Sequence, residues 1–205
     1  MKVTCMQGNT TVSKTDVVEF FDEMAPLWDR DLIVDTEKIN AILDAAEVRP
    51  NARVLDVACG TGVLFPFYLQ RQVKEVLAVD IAPEMAKIAA EKARSPIRVV
   101  CSDIQALPGT GDYDCCMVYN AFPHFPDPAG LVADLSRWLK PGGRLTVAHS
   151  MGVEQLNLHH SGRAAKVSIG MLPAEDLAEI FAPWFEVDRV VSDEGKYIVS
   201  GTRKA

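Results

Sequence analysis

The chain has no run of about 18 consecutive apolar residues, so nothing in it reads as a membrane span. It has no excess of base either: 21 Lys and Arg stand against 28 Asp and Glu, a formal net charge of −7. That balance repels phosphate backbones, and the densest basic stretch is only Thr202-Arg203-Lys204, so no nucleic-acid substrate is expected. The opening residues, Met1-Lys2-Val3-Thr4-Cys5, lead into no apolar segment, which argues against a secretory signal. The five cysteines are an odd count, and Cys101, Cys115 and Cys116 sit in apolar, strand-like stretches. Reduced thiols in a cytoplasmic protein are the expectation. Repeats and low-complexity linkers are missing as well. What is there is 205 residues, 48% hydrophobic and 24% charged, enough for one globular domain with a sizeable core.

Residues 1–14 are polar and aperiodic and read as a loose arm. Two helices are expected over 15–46. Asp16 and Glu19 have capping-box spacing around Val17, Phe20, Phe21 and Met24, and Thr36 is a candidate cap for Ile39, Ile42 and Leu43. Beyond Pro50-Asn51 the pattern alternates. Apolar runs at Arg53–Val57, Glu75–Val79, Ile97–Cys101, Cys115–Tyr119 and Leu145–Ala148 read as strands buried on both faces. The helical stretch Asp127–Lys140 is expected to stop at Pro141-Gly142-Gly143. Phe185–Val191 and Lys196–Thr202, split by Ser192-Asp193-Glu194-Gly195, read as a hairpin. The expected fold is α/β: a doubly wound, mostly parallel seven-stranded sheet closed by an antiparallel hairpin. It is expected as one domain, 1–205, with an arm and helical lid over 1–48. A cofactor-binding core would span 49–150, and an acceptor-side loop and hairpin 151–205.

Val54 to Gly62 is a strand running into a glycine turn, where Gly60 and Gly62 let backbone amides approach a ligand. Asp80 ends the next strand, where a carboxylate can bind ribose hydroxyls. Turn and acid together indicate a ligand containing a nucleoside. A dinucleotide fingerprint needs a third small residue where Phe65 stands, and no Gly-Lys-Ser/Thr follows for a phosphate loop. A ligand with a ribose and no phosphates is left.

Taken together, these motifs resemble those of the class I, Rossmann-like, S-adenosylmethionine-dependent methyltransferases. The first motif is Asp56-Val57-Ala58-Cys59-Gly60-Thr61-Gly62 and the second Val79-Asp80-Ile81-Ala82-Pro83-Glu84-Met85. Cys101-Ser102-Asp103-Ile104, Tyr113-Asp114 and Lys140-Pro141-Gly142-Gly143 complete the set over about 50–150. The resemblance implies that Gly60 and Gly62, with Ala58 between them and Asp56, lie under the methionine part of the cofactor, with Asp56 holding its amino group. Asp80 would bind the ribose, Ile81 and Met85 flank the adenine, and Asp103 with Ile104 read its edge. Tyr119 and Asn120 would lie near the sulfonium. Phe20-Phe21-Asp22 and Trp28-Asp29 resemble the N-terminal segment of the quinone-biosynthesis members, in which aromatics close over the site; ordinary helix packing is the alternative.

Methyl transfer is an in-line displacement in which the protein aligns the reactants and excludes water, and a high-pKa acceptor also needs a base. The four histidines all follow the fourth and fifth strands: His124, His149, His159 and His160. They can be incidental loop residues. They can include a general base, with His149 first and His124 second as candidates. Or His124, His149 and His160 can hold a divalent metal with an open position. Asn157 and His160 share a helical face, which favours His160 over His159. Cys115 and Cys116 cannot clamp one ion, because adjacent strand residues point to opposite faces. Asn120-Ala121-Phe122-Pro123 lacks the adjacent prolines of base-amine methyltransferases and the acidic cluster of the metal-dependent catechol type. The expectation is an enzyme for a small-molecule acceptor of unspecified identity and oligomeric state. The alternative is a non-catalytic module that binds S-adenosylmethionine or S-adenosylhomocysteine.

Overall fold

The structure is a computed structural model that describes residues 12–30, 32–159 and 163–205. Two helices lead the chain, α1 (Lys14–Trp28) and α2 (Thr36–Ala45). Strands and helices then alternate: β1 (Arg53–Val57), α3 (Phe65–Gln70), β2 (Glu75–Asp80), α4 (Pro83–Lys92), β3 (Ile97–Cys101), β4 (Tyr113–Tyr119), α5 (Pro128–Ser136) and β5 (Leu139–His149). The chain ends with α6 (Val153–His159), α7 (Ala174–Phe181), β6 (Phe185–Ser192) and β7 (Tyr197–Arg203). The seven strands lie in the order β3-β2-β1-β4-β5-β7-β6. The first five are parallel, and β7 enters antiparallel between β5 and β6.

The apolar runs of β1, β2, β4 and β5 become parallel strands covered on both faces; β3 departs from the expectation, because as the edge strand it buries only Ile97 and leaves Arg98 and Cys101 exposed. One face packs Leu55, Val57, Val118 and Val147 under Leu131 and Leu135 of α5 and Leu177 and Phe181 of α7. The other packs Val54, Ala78 and Met117 under Ile39, Ile42 and Leu43 of α2 and Phe65 and Tyr68 of α3. Each such fully buried side chain contributes roughly 1.5–3 kcal/mol relative to exposure. Cys115 and Cys116 fall in opposite cores, as strand alternation requires.

Three local expectations shift. The cap of α1 is Ser13, whose hydroxyl accepts from the amide of Asp16, and that of α2 is Asp35, which accepts from Lys38. Pro141-Gly142-Gly143 does not stop a helix: α5 already ends at Ser136, and these residues lie inside β5. Leu139 pairs with Tyr113 before an irregularity in the register, and the Gly142 φ of +78° allows the strand to bend through it. Among the described residues no helix is long and apolar enough to cross a membrane.

Candidate active site

At the carboxyl ends of β1, β2 and β4 the sheet opens into one cavity of roughly 1130 Å³, part of it open to solvent. Parallel sheets place ligands here because the strand order reverses between β1 and β4 and the connections diverge. Ala58, Cys59, Gly60 and Thr61 form the floor. Ala58 has φ +53°, a left-handed conformation that costs a non-glycine residue about 1 kcal/mol or more and is concentrated at functional turns. Gly60 has φ +57°, and a Cβ built there would meet no atom within 4 Å, so this backbone faces open cavity.

Two carboxylates stand on the β2–β3 side. Asp80 is 7% exposed; its Oδ2 accepts from the amide of Gly60 at 2.8 Å and its Oδ1 from Ala82 at 2.9 Å. Burial pushes its carboxyl up, and these amide bonds oppose that. Asp103 caps the 3-10 turn Ile104–Ala106 through the Gln105 amide and pairs with Lys14 of α1 at 2.5 Å. A floor of amides with two recessed carboxylates suits a ligand that carries hydroxyls and positive charge. Ile81, Met85 and Ile104 supply apolar walls beside them, and Tyr119 and Asn120 border the centre. Asn120 also has positive φ, +54°, and its carboxamide is fixed by the amide of Ser150 at 2.9 Å.

The roof is α1. Val17, Phe21 and Trp28 face inward, and the loop beyond contributes Leu32 and Ile33. Phe21 and Trp28 pack on Ala82 and Met85 on one side, while Val17 packs on Val167 on the other. Opposite the glycine turn, His124, Phe125 and Pro126 complete the wall. The Phe21 ring meets His124 edge-on, with centroids 4.9 Å apart at 83°. His124 Nδ1 lies 2.7 Å from the carbonyl oxygen of Val167. A carbonyl only accepts, so Nδ1 carries the hydrogen and Nε2 the lone pair of the neutral ring.

Not every expected residue is here. His149 is fully buried and does not line the cavity. Alternation along β5 puts it on the face of Leu145 and Val147, with the Tyr197 ring 6.1 Å away at 83°. His160 lies outside the described residues. Among the described residues no group of three His, Cys, Asp or Glu is placed to hold a metal ion. Gly62 does not line the cavity either: a Cβ there would come within 2.6 Å of the Phe65 ring, so this glycine makes room for the core. Sequence reasoning missed Lys14, whose partner is 89 residues away, and Leu32 and Ile33. The signal for the latter was the apolar triplet Leu32-Ile33-Val34 between two helices; Ile33 is 91% exposed.

Asp56 lies below the floor, 2% exposed and outside the cavity lining, so it does not reach the ligand space. Burial, and next the charge of Asp80, push its carboxyl up to about 8. The folded state therefore holds a proton that the unfolded chain releases near pH 4, and stability falls as pH rises from about 4 to about 8. Asp56→Asn removes this titration. Its stability relative to the parent is expected to improve by roughly 2–3 kcal/mol between about pH 5 and about pH 7.5 in urea unfolding. A difference that does not change with pH contradicts the assignment.

Comparison with known proteins bears on the same part of the chain. Residues 55–147 match the family model described as a methyltransferase domain. The chain is 35% identical over 117 residues to the ubiquinone biosynthesis O-methyltransferase of Xanthomonas oryzae pv. oryzae, covering 55% of this chain and 47% of that protein. The chain thus matches about half the length of such curated relatives. Magnesium protoporphyrin IX methyltransferase from Synechocystis, solved with bound S-adenosylhomocysteine, superposes with a TM-score of 0.68 at 20% identity, over 94% of this chain and 100% of that one. The cyclase SpnF superposes with a TM-score of 0.76 at 16% identity, over 96% and 98%. These two likenesses concern the fold; chemistry has to be argued from the site.

Proposed function

We propose that this chain transfers the methyl group of S-adenosylmethionine to an oxygen of a small, largely apolar acceptor, with His124 as general base. The observation that carries the reading is the continuity of the cavity: one space runs from the glycine turn and Asp80 to His124 and the aromatic roof. A donor on the glycine floor and an acceptor under Phe21 would therefore be neighbours. The open space over Gly60 and the recessed carboxylates fit the donor. When bound, the donor supplies an electrophilic methyl group on a positively charged sulfur.

The chain's own residues then have separable roles. Asp80 holds the ribose hydroxyls, Asp103 and Ile104 meet the adenine edge, and Ile81 and Met85 flank its faces. Ala58 and Gly60 shape the floor, and Tyr119 and Asn120 border the reacting centre. Phe21, Trp28 and Leu32 exclude water and favour an apolar acceptor, with Ile33 at the exposed rim. Nε2 of His124 takes the acceptor's hydroxyl proton, and the Val167 carbonyl, holding Nδ1–H, stabilises the imidazolium that forms. Oxygen as the acceptor atom is supported by the O-methyltransferases among the relatives. A cytoplasmic setting is supported by Cys59, Cys101, Cys115 and Cys116 all being free thiols.

The test is label transfer from methyl-labelled S-adenosylmethionine to a panel of small phenols and other hydroxylated metabolites. Saturable donor binding with label appearing in at least one acceptor is the expected result. Saturable binding without turnover on any acceptor would point to a binding module instead.

A further inference from the structure

Helix α1 has a weak point where it covers the cavity. Pro26 lies inside its last turn. A proline there has no N–H to give to the carbonyl four residues back, and its ring crowds that carbonyl. Trp28, part of the roof, is carried by this loosened turn. Its place is held from outside the helix. The carboxylate of Asp29, the C-cap, accepts a 2.6 Å hydrogen bond from the hydroxyl of Thr61 and a 2.5 Å bond from Lys92 Nζ. Thr61 is 2% exposed and stands between Gly60 and Gly62, so the lid is tied to the cavity floor itself. Lys92 is the last residue of α4. A second tie, from the amide of Glu84 to Asp22 Oδ1 at 2.8 Å, lies before Pro26 and fixes the middle of α1 but not its end. Burial pushes the Asp29 carboxyl up, but the bonds from Lys92 and Thr61 outweigh this and leave it below the usual range. It is therefore ionised at neutral pH and a strong acceptor.

We propose that Asp29 is a positioning residue: through Thr61 it couples the glycine turn to the lid and keeps Trp28 over the cavity. Its consequence for turnover depends on the donor occupying this cavity, as proposed above; the coupling itself does not. A ligand resting on the turn would press on Thr61 and so tighten or loosen the roof over the acceptor without touching it.

Tryptophan quenching reads the coupling directly. Trp138 is 4% exposed and Trp184 is 46% exposed, so in a Trp184→Phe background the accessible indole is that of Trp28. In ligand-free protein of that background, Asp29→Ala is expected to raise acrylamide quenching about two- to threefold, as a locally opened segment would. It should also speed S-adenosylhomocysteine dissociation about three- to tenfold, as expected when a roof that covers the ligand opens more often. Asp29→Asn keeps an acceptor for Thr61 but sets an amide NH2 against Lys92 Nζ, so it should fall between the parent and Asp29→Ala, while Thr61→Val, which removes only the hydroxyl, should raise quenching in the same direction as Asp29→Ala. Unchanged quenching in both Asp29→Ala and Thr61→Val overturns the proposal. So does a lowered melting temperature with quenching and dissociation unchanged, since that is what a merely structural tie would give. If Asp29→Ala fails to fold, Thr61→Val decides alone. Should the parent not bind S-adenosylhomocysteine, the donor reading fails, and ligand-free quenching still decides the coupling.

Discussion

Gly60→Val is expected to lose S-adenosylmethionine binding altogether, by at least about a hundredfold, while the protein still folds. The side chain would enter space that holds no protein atom within 4 Å, the space assigned to the donor. An isopropyl group there replaces the amide–ligand approach with a steric conflict that neither β1 nor α3 can relieve, because Val57, Leu64 and Phe65 are all buried. The fold pays a smaller cost: a left-handed φ of +57° in a non-glycine residue costs about 1–2 kcal/mol, somewhat more when β-branched. Calorimetry gives the affinity and thermal unfolding gives the stability. Normal affinity in a folded Gly60→Val protein would show that the backbone does not approach the ligand.

His124→Gln is expected to lower the maximal rate by on the order of 10²–10⁴-fold, with donor affinity changed less than about threefold. Glutamine can still donate to the Val167 carbonyl and fill much of the ring's volume, so the wall should persist. What it lacks is a basic nitrogen. The pH profile separates the roles: a base makes the parent's rate fall on the acidic side as the ring protonates, and the variant should lose that limb. Loss of rate with the limb retained would assign His124 to packing against Phe21 and not to proton transfer.

The parallel sheet and the glycine turn were legible because strands buried on both faces are continuous apolar runs and their ends carry Asp80, Asp103 and Asn120 at fixed spacing. What the sequence could not show was parity and distance. His149 ends a strand beside the cavity, but its parity with Val147 turns it into the core against Tyr197, and nothing local marks which face that is. Gly62 looks like Gly60 in a motif, yet its role comes from the ring of Phe65 three residues on. Asp56 has the right spacing for the ligand but points under the floor, where burial keeps it protonated. Caps were displaced by one to three residues because Ser13 and Asp35 neighbour equally plausible candidates. The ties of the lid, Lys14 to Asp103 and Asp29 to Thr61, join residues far apart in sequence and have no local signature.

The donor site itself is tested most directly by titrating the protein with S-adenosylmethionine and with NAD in a calorimeter, alongside Asp80→Ala. Asp80 is held by the Gly60 and Ala82 amides, so its carboxylate is already oriented before a ribose arrives. Loss of its charge-assisted hydrogen bonds should weaken S-adenosylmethionine binding by roughly 2–4 kcal/mol. Because Asp80 also organises the turn, Asp80→Asn, which keeps one acceptor oxygen, serves as the milder control. The predicted result is saturable S-adenosylmethionine binding, no comparable binding of NAD, and a graded loss from Asp80→Asn to Asp80→Ala. Tight NAD binding, or unchanged S-adenosylmethionine affinity in a folded Asp80→Ala protein, would contradict it.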